Sequence, residues 1–385
     1  MVDLTRVLAG PYCTLVLANL GARVIKVERP KTGDDVRAVG PFVNGKSLYF
    51  SALNCDKESI AIDLRAPDDR AVFEQLLDRA DVLVENMRPP VKHRLGFDWD
   101  TLHRRNPRLV YGSISGFGQD GPYAERGGVD QIAQGMGGLM SVTGMPGTEP
   151  TRVGIPVSDL SAGLYLAVGI LVALHERART GEGRWVQTSL LESMIAMMDL
   201  QAARWTIDGV VPEQEGNHHP QFLPMGCFRT ADSYVNVAGP SGRLLRNFCK
   251  VIGLPDLPSD PRFDSAGKRF HNRAALNEIV AARLRARPTQ EWITTLNEVG
   301  VPCGPVYKMD EVFADPQVVH LGMTESVEHP ALGSLDVVRN AVTMTGAAKT
   351  VRTPTPESGQ HTDEVLAELG LATGEIEDLR RRGVI

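Results

Sequence analysis

Three groups of residues in this 385-residue chain could do chemistry. Asp159 stands in Gly154-Ile-Pro-Val-Ser-Asp-Leu-Ser-Ala-Gly163, directly ahead of a strongly apolar stretch. An aspartate there reads first as a helix N-cap, a position that favours Asp and contributes about 1 kcal/mol. In a loop facing a crevice the same residue also suits a carboxylate nucleophile. Backbone N–H groups at a helix start can stabilise the oxyanion formed on an attacked carbonyl. The residues by themselves leave both readings open. Arg29, Arg65, Arg88 and Arg94 lie at or just beyond short β-rich runs, in Glu28-Arg29, Asp63-Leu64-Arg65 and Glu85-Asn86-Met87-Arg88. Ligands of parallel α/β sheets bind outside the carboxyl ends of strands, and guanidinium groups gathered there suit the phosphates of a nucleotide-like ligand. Taken singly, each of the four reads as a solvated surface arginine. His218-His219, in Gly216-Asn-His-His-Pro, is the one histidine pair. No third ligand lies near it in sequence, so no metal site is expected, and a loop contact or a substrate contact are both open. A G-x-S-x-G motif is missing, which disfavours a serine hydrolase.

Positioning these side chains requires a sheet. Strand patterns at 23–28, 59–64, 82–85 and 109–114 alternate with helical patterns at 11–20, 67–79 and 98–105. Near-continuous apolar strands in that alternation predict a parallel sheet covered on both faces. Leu8-Ala9-Gly10-Pro11, a helix and the strand ending in Glu28 resemble half of a Rossmann unit. The dinucleotide fingerprint G-x-G-x-x-G is missing, however, and Glu28-Arg29 replaces a lone ribose-binding acid, so NAD is disfavoured. A Gly-rich stretch runs from Gly135 to Gly154, and long helices are expected at 160–178 and 189–206. Between them come a turn at Thr180-Gly181-Glu182-Gly183 and a short strand within 184–190. Residues 209–226 read as a long loop, a candidate cover for the site. Helical patterns at 242–252, 272–286 and 288–299 suggest a smaller helical domain. After Gly300-Val301-Pro302-Cys303-Gly304-Pro305 the chain is expected to return to the sheet, ending in a β-rich segment at 331–345 and a charged helix at 374–383.

Bulk properties narrow the class. The length favours two domains, and 42% hydrophobic residues can build a sizeable core. A net charge of −6 argues against a nucleic-acid partner, while leaving room for a local basic pocket. Cys13, Cys55, Cys227, Cys249 and Cys303 are scattered, odd in number and form no C-x-x-C. That is the pattern of reduced thiols in a cytoplasmic protein, with neither a disulfide framework nor a zinc site. No secretory signal is read in the opening residues. The longest apolar run, Ala162 to Leu174, is shorter than the ~20 residues of a membrane span, so no membrane association is expected.

Several segments, in order along nearly the whole chain, carry a resemblance. They are Leu4-Thr-Arg-Val-Leu-Ala-Gly-Pro11, Leu20-Gly-Ala-Arg-Val-Ile-Lys-Val-Glu28, Asn54-Cys-Asp-Lys-Glu-Ser-Ile60 and Asp81-Val-Leu-Val-Glu-Asn86. Gly116-Phe-Gly-Gln-Asp-Gly-Pro122, Val301-Pro-Cys-Gly-Pro-Val306 and His361-Thr-Asp-Glu-Val365 continue the series. Together they resemble the family III CoA-transferases, the group of formyl-CoA transferase and the carnitine CoA-transferase. The resemblance implies an α/β fold: a Rossmann-like large domain with a parallel sheet, built from both chain ends, and a smaller α+β domain. On this chain those would be 1–205, 206–306 with linkers, and 307–385 returning to the large domain. It also implies an interlocked homodimer. By the same resemblance the catalytic nucleophile falls on Asp159. CoA contacts fall on Leu8 and Ala9, Arg29, Ile62, Asp63, Leu64 and Arg65, Asn86, Met87 and Arg88, Arg94, and Gly127, Gly128, Val129 and Asp130. The implied partners are an acyl-CoA donor and a carboxylic acid acceptor. Coenzyme A is then a substrate, and no permanently bound cofactor is implied.

Departures from the family pattern sharpen the expectation. Of the strand that ordinarily precedes the Leu-Thr-Arg segment, Met1-Val2-Asp3 supplies only the end, so the natural start is expected upstream. Leu8 stands where formyl-CoA transferase has a glutamine, and that enzyme's glycine run is not found here, which points away from formyl-CoA and oxalate. The racemase branch places a catalytic histidine in Gly-His-Asp; here the match is Gly128-Val129-Asp130, and valine cannot exchange a proton. The segments Gly216-Asn-His-His-Pro and Pro224-Met-Gly-Cys-Phe resemble the branch that uses succinyl-CoA and other dicarboxyl-CoA esters. Arg152 or the histidine pair would then meet a distal carboxylate. The competing readings are a 2-methylacyl-CoA racemase or isomerase of the same fold, and a non-catalytic CoA-binding protein.

Overall fold

The computed structural model describes residues 1–239, 241–346 and 351–385, the side chains of 67–69 excepted. Six parallel strands form its main sheet: β1 (Val2–Asp3), β2 (Val24–Glu28), β3 (Lys57–Ala61), β4 (Val82–Glu85), β5 (Val110–Ser115) and β6 (Trp185–Ser189). Their spatial order is β3-β2-β1-β4-β5-β6, that of a doubly wound dinucleotide-type sheet, with the order reversing between β1 and β4. Alternating side chains serve two cores. Val82 and Val84 of β4 pack with Ala9, Cys13, Ala162, Leu166 and Ile170 on one face. Leu83, between them, packs with Phe73, Leu102, Val365 and Leu366 on the other. This is why the strands read as unbroken apolar runs in sequence.

The chain divides into two compact units. The first comprises Met1–Leu139, Arg152–Asp208 and Gly322–Ile385, and the second Met140–Thr151 and Gly209–Leu321. The first unit thus takes in both chain ends. The C-terminal helices Thr362–Leu369 and Thr373–Arg381 complete the core beside β3. His361 and Thr362 also bond the backbone of that edge strand at Ser59 and Ala61, which protects an otherwise open edge. In the second unit, β7 (Met225–Arg229), β8 (Tyr234–Ala238) and β9 (Cys303–Pro305) form an antiparallel sheet ordered β9-β8-β7. Helices Gly242–Val251, Arg273–Leu284 and Thr289–Glu298 share a core with it through Phe228, Val235, Phe248, Leu276 and Trp292.

Several expectations need correction. The smaller unit is α+β, as the resemblance implied, whereas helical periodicity alone concealed its three short strands. β9 pairs with β8 in that unit, which continues to Leu321, so the return comes at Gly322. Residues 140–151 belong there too, because Gln214 donates to the Thr143 and Glu149 carbonyls and Gly216 N–H donates to Gly144. The helix expected at 189–206 is two, Leu190–Ala196 and Asp199–Thr206, with Asp199 in the left-handed region at φ 43°. The helix Val157–Thr180 is longer than its apolar run suggested, and by length and composition alone it could span a membrane. Ala162, Leu166, Ala167, Ile170 and Ala173 bury one of its faces against the sheet.

Candidate functional site

The Val157–Thr180 helix crosses the Ala9–Asn19 helix at Gly163, where a Cβ would lie 2.7 Å from the Ala9 carbonyl oxygen. This close crossing brings the start of the long helix to the carboxyl ends of β1 and β4, where the strand order reverses and a crevice opens. A cavity of about 620 Å³ occupies that place. Val7, Leu8 and Ala9 line it from beyond β1, Asn86, Met87 and Arg88 from beyond β4, and Ser115 and Gly116 from the end of β5. Tyr49, Arg126 to Gln131, Arg152 and Asp159 complete most of the wall.

Asp159 is the third residue of its helix and not the N-cap. The cap position is Pro156, which has no side chain to bond the backbone, so the capping reading of Asp159 is overturned. Of the helix's first four N–H groups, Val157 donates to Ile155, Ser158 to the Asp130 carboxylate and Leu160 to Pro156. That of Asp159 itself has no hydrogen-bond partner among the described residues. The Asp159 carboxyl is pushed up to about 7, first by burial and then by the negative charge of Asp130. The phenol of Tyr49, on the same wall, is raised by burial and by the charges of Asp159 and Asp130.

Asp130 is buried and fully engaged. Its Oδ1 accepts from Ser158 N–H at 3.1 Å and Ser158 Oγ–H at 2.8 Å. Its Oδ2 accepts from Gln134 Nε2 at 2.8 Å and from Arg152 Nη2 at 3.1 Å. Gln134 in turn accepts from Val153 N–H and donates to Ile155 O, pinning the segment that leads into the Asp159 helix. Two glycines set the approach of this segment to the sheet: a Cβ on Gly116 would lie 2.6 Å from Gly128 Cα. No other residue pair allows the backbones to meet there.

The turn after β1 is held in an unusual shape. Val7 has φ 67°, a left-handed conformation that costs a β-branched residue about 1–2 kcal/mol. Asp34 Oδ1 accepts the Val7 N–H, while the Asn86 amide accepts from Arg6 N–H and donates to Arg6 O. Asn86 thus extends the sheet by imitating a strand partner. Beneath lie buried ion pairs, Lys26–Asp34 at 2.9 Å and Lys57–Asp3 at 3.2 Å.

Eleven of the candidate residues singled out in the sequence line this cavity: Leu8, Ala9, Asn86, Met87, Arg88, Gly127, Gly128, Val129, Asp130, Arg152 and Asp159. Arg29, Ile62 and Leu64 line a smaller adjoining cleft, which shares Met87 with it. Asp63, Arg65 and Arg94 line neither. Arg65 folds back on Asp63 in a two-pronged pair with its side chain 80% exposed, and Arg94 is exposed in the last turn of Pro89–Leu95. The expectation that four arginines face a single crevice is therefore corrected, since Arg88 alone of them reaches the large cavity. Val7, Tyr49 and Arg126 escaped the sequence reading. Arg126 sits over the Tyr123 ring at 3.7 Å, and only its place beside Gly127-Gly128 hinted at it. Among the described residues no cluster of His, Cys, Asp and Glu could hold a metal ion. His218 and His219 belong to the second unit, where His219 Nδ1 accepts from the N–H groups of Gln221 and Phe222.

The chain is similar to known proteins along its length. The model of CoA-transferase family III matches residues 1–362. The human succinyl-CoA:glutarate CoA-transferase is 36% identical, over 96% of this chain and 84% of that protein. The acetyl-CoA:oxalate CoA-transferase of Acetobacter aceti is 41% identical, over 84% of this chain and 83% of that one. The crystal structure of a CAIB/BAIF family protein from Brucella suis superposes with a TM-score of 0.84 at 36% identity, covering 96% of this chain and 97% of that one. With a cavity at the strand reversal, a carboxylate at its wall and this similarity across its length, the chain belongs to CoA-transferase family III and is an enzyme that transfers CoA between an acyl-CoA and an acid.

Proposed function

We propose that the enzyme uses succinyl-CoA or another dicarboxyl-CoA ester and carries the reacting groups covalently on Asp159. The observation that supports this most is a partly buried carboxyl, raised to about 7, opening into the cavity beside Leu8, Ala9 and Asn86 to Arg88. A carboxylate more basic than usual is a better nucleophile once its proton is gone. In the first step an Asp159 oxygen attacks the thioester carbonyl, the C–S bond breaks, and a mixed anhydride and CoA thiolate result. The thiolate then attacks the aspartyl carbonyl, releasing the donor acid and leaving an aspartyl-CoA thioester. The acceptor carboxylate attacks that thioester, and the expelled thiolate attacks the acceptor's acyl carbon. This gives the new CoA ester and frees Asp159. No water or net proton is consumed, and bonds of similar energy are exchanged throughout. The unpartnered N–H of Asp159 is a backbone donor available to the oxyanions. Arg88, with Arg29 and Arg6 in the adjoining cleft, offers cations for the phosphates of CoA.

The human enzyme named above supports a dicarboxyl-CoA donor by its succinyl-CoA, and both enzymes support a dicarboxylic partner acid, glutarate or oxalate, the Acetobacter enzyme pairing its oxalate with acetyl-CoA. Racemisation finds no support, since Val129 stands at the cavity wall without an exchangeable proton. We also propose a homodimer. Opposite its buried side, the Val157–Thr180 helix exposes Leu164, Tyr165, Val168, Leu171 and Val172, a stripe that a second subunit would cover. A panel of acyl-CoA donors and carboxylic acids, oxalate included, tests the activity by mass spectrometry of the CoA products. Succinyl-CoA with dicarboxylic acceptors is expected to give transfer that Asp159→Ala abolishes. Transfer surviving in Asp159→Ala would refute the covalent route.

A further inference from the structure

Resting on the dicarboxylate reading above, the geometry assigns its second carboxylate: we infer that Arg152 receives the far carboxylate of an acyl group held at Asp159, and so selects dicarboxylic over monocarboxylic substrates. The cavity contains three guanidinium groups, those of Arg88, Arg126 and Arg152. Arg88 is the cap residue of the Pro89–Leu95 helix beyond β4, and Arg126 lies over the Tyr123 ring. Arg152 alone is tied to the nucleophile's own turn. Its Nη2 donates to Asp130 Oδ2 at 3.1 Å, and Asp130 Oδ1 accepts both donors of Ser158, the residue before Asp159.

That arrangement suits a receptor for a carboxylate. Only one of the five guanidinium N–H groups is used, and the remainder have no partner among the described residues. The side chain is 38% exposed, so it need not break a buried contact to meet a ligand. Its backbone is steadied one residue later, where Val153 N–H donates to Gln134. Asp130 holds the guanidinium from one side while leaving an edge for two parallel bonds to a carboxylate. The cavity's other ionisable groups explain why such a cation is required. Asp130 and Asp159 would repel an incoming carboxylate that found no partner. Of the candidates the sequence left open for this role, Arg152 shares a cavity with Asp159. In His219, Nδ1 is already occupied by two backbone N–H groups.

The test compares succinyl-CoA with butyryl-CoA, which replaces the far carboxylate by a methyl group, as donors for the wild-type enzyme, Arg152→Gln and Asp130→Asn. The succinyl-to-butyryl ratio of kcat/KM should fall about 10- to 100-fold in Arg152→Gln, chiefly through KM, and fall less in Asp130→Asn, which loosens the guanidinium but keeps its charge. Parallel loss with both donors in Arg152→Gln would overturn the assignment, because it would show that Arg152 only supports Asp130. A wild-type enzyme without preference for succinyl-CoA would instead remove the dicarboxylate reading and leave Arg152 nothing to select. Should Arg152→Gln not fold, Arg152→Lys keeps the charge, loses the fork and reports the same ratio.

Discussion

At the scale of single residues, Asp159 combines two properties that oppose each other. Burial and the neighbouring Asp130 hold its proton to about pH 7, so its anion is scarce in acid but reactive when formed. The kcat/KM for the acyl-CoA donor should therefore rise with pH through about 7. Asp130→Asn removes the like charge and should move that limb to lower pH, as a pH–rate profile would show. Folding reports the same strain with a definite sign. The folded carboxyl keeps its proton up to about 7, whereas an unfolded aspartate releases it near 3.8. The folded state thus binds the extra proton between those values, and stability falls as pH rises through the window. Asp159→Asn should be more stable than wild type at pH 8 by about 1–2 kcal/mol, allowing for partial solvent access, and no more stable at pH 3.5. Thermal unfolding at the two pH values measures this. The same substitution should reduce transfer more than about 1000-fold, the familiar opposition of stability and function at an active site.

At the scale of elements, the site depends on close backbone approach and on charges buried under a two-residue strand. Gly128→Ala places a methyl within 2.5 Å of Gly116 Cα, so the segment carrying Asp130 must shift. A loss of about 1–3 kcal/mol and at least about tenfold in kcat is expected, read by denaturant unfolding and steady-state kinetics. Asp3, fully buried between Lys26 and Lys57, is held down to about 2 by those charges and by Thr14 and Thr5, against the cost of its burial. Its contribution is present above about pH 4 and fades as pH falls through 2. Asp3→Asn should cost about 3–5 kcal/mol at pH 7 by leaving Lys57 without its carboxylate in the interior. Strands β2, β4 and β5 were legible from Val24, Ile25 and Val27, Val82 to Val84, and Val110, Tyr111 and Ile114, apolar runs dense enough to outweigh Lys26 and Ser113. Strand β1 was legible only as a remnant, because Val2 and Asp3 gain their place from neighbours on both sides. The small sheet went unread because β7 is interrupted in pattern by Gly226 and Cys227, and β9 is only Cys303–Pro305. Arginines near strand ends were legible as a group, but sequence could not show that Arg65 would turn back on Asp63.

At the scale of the whole molecule, both chain ends belong to one sheet unit, and the second unit lies between them in sequence. Residues 140–151, a short Gly-rich stretch read as part of the first, join the second through hydrogen bonds to residues over sixty positions away, which no local pattern records. The exposed stripe from Leu164 to Val172 leads us to expect a dimer by analytical ultracentrifugation. Val168→Glu, at the centre of the stripe, should weaken or prevent its assembly, whereas a monomeric wild-type enzyme would remove the dimer proposal. The central claim, that Asp159 carries first the acyl group and then CoA, is tested most directly by isotope transfer. Wild-type enzyme is given succinyl-CoA and an acceptor acid whose carboxylate bears heavy oxygen, and the Asp159 peptide is then weighed by mass spectrometry. The covalent route gives Asp159 one acceptor oxygen in each turnover, because the second anhydride breaks on the acceptor's side, and releases one aspartyl oxygen with the donor acid, so the peptide gains label up to two oxygens. A peptide that stays unlabelled while labelled CoA ester accumulates would contradict it.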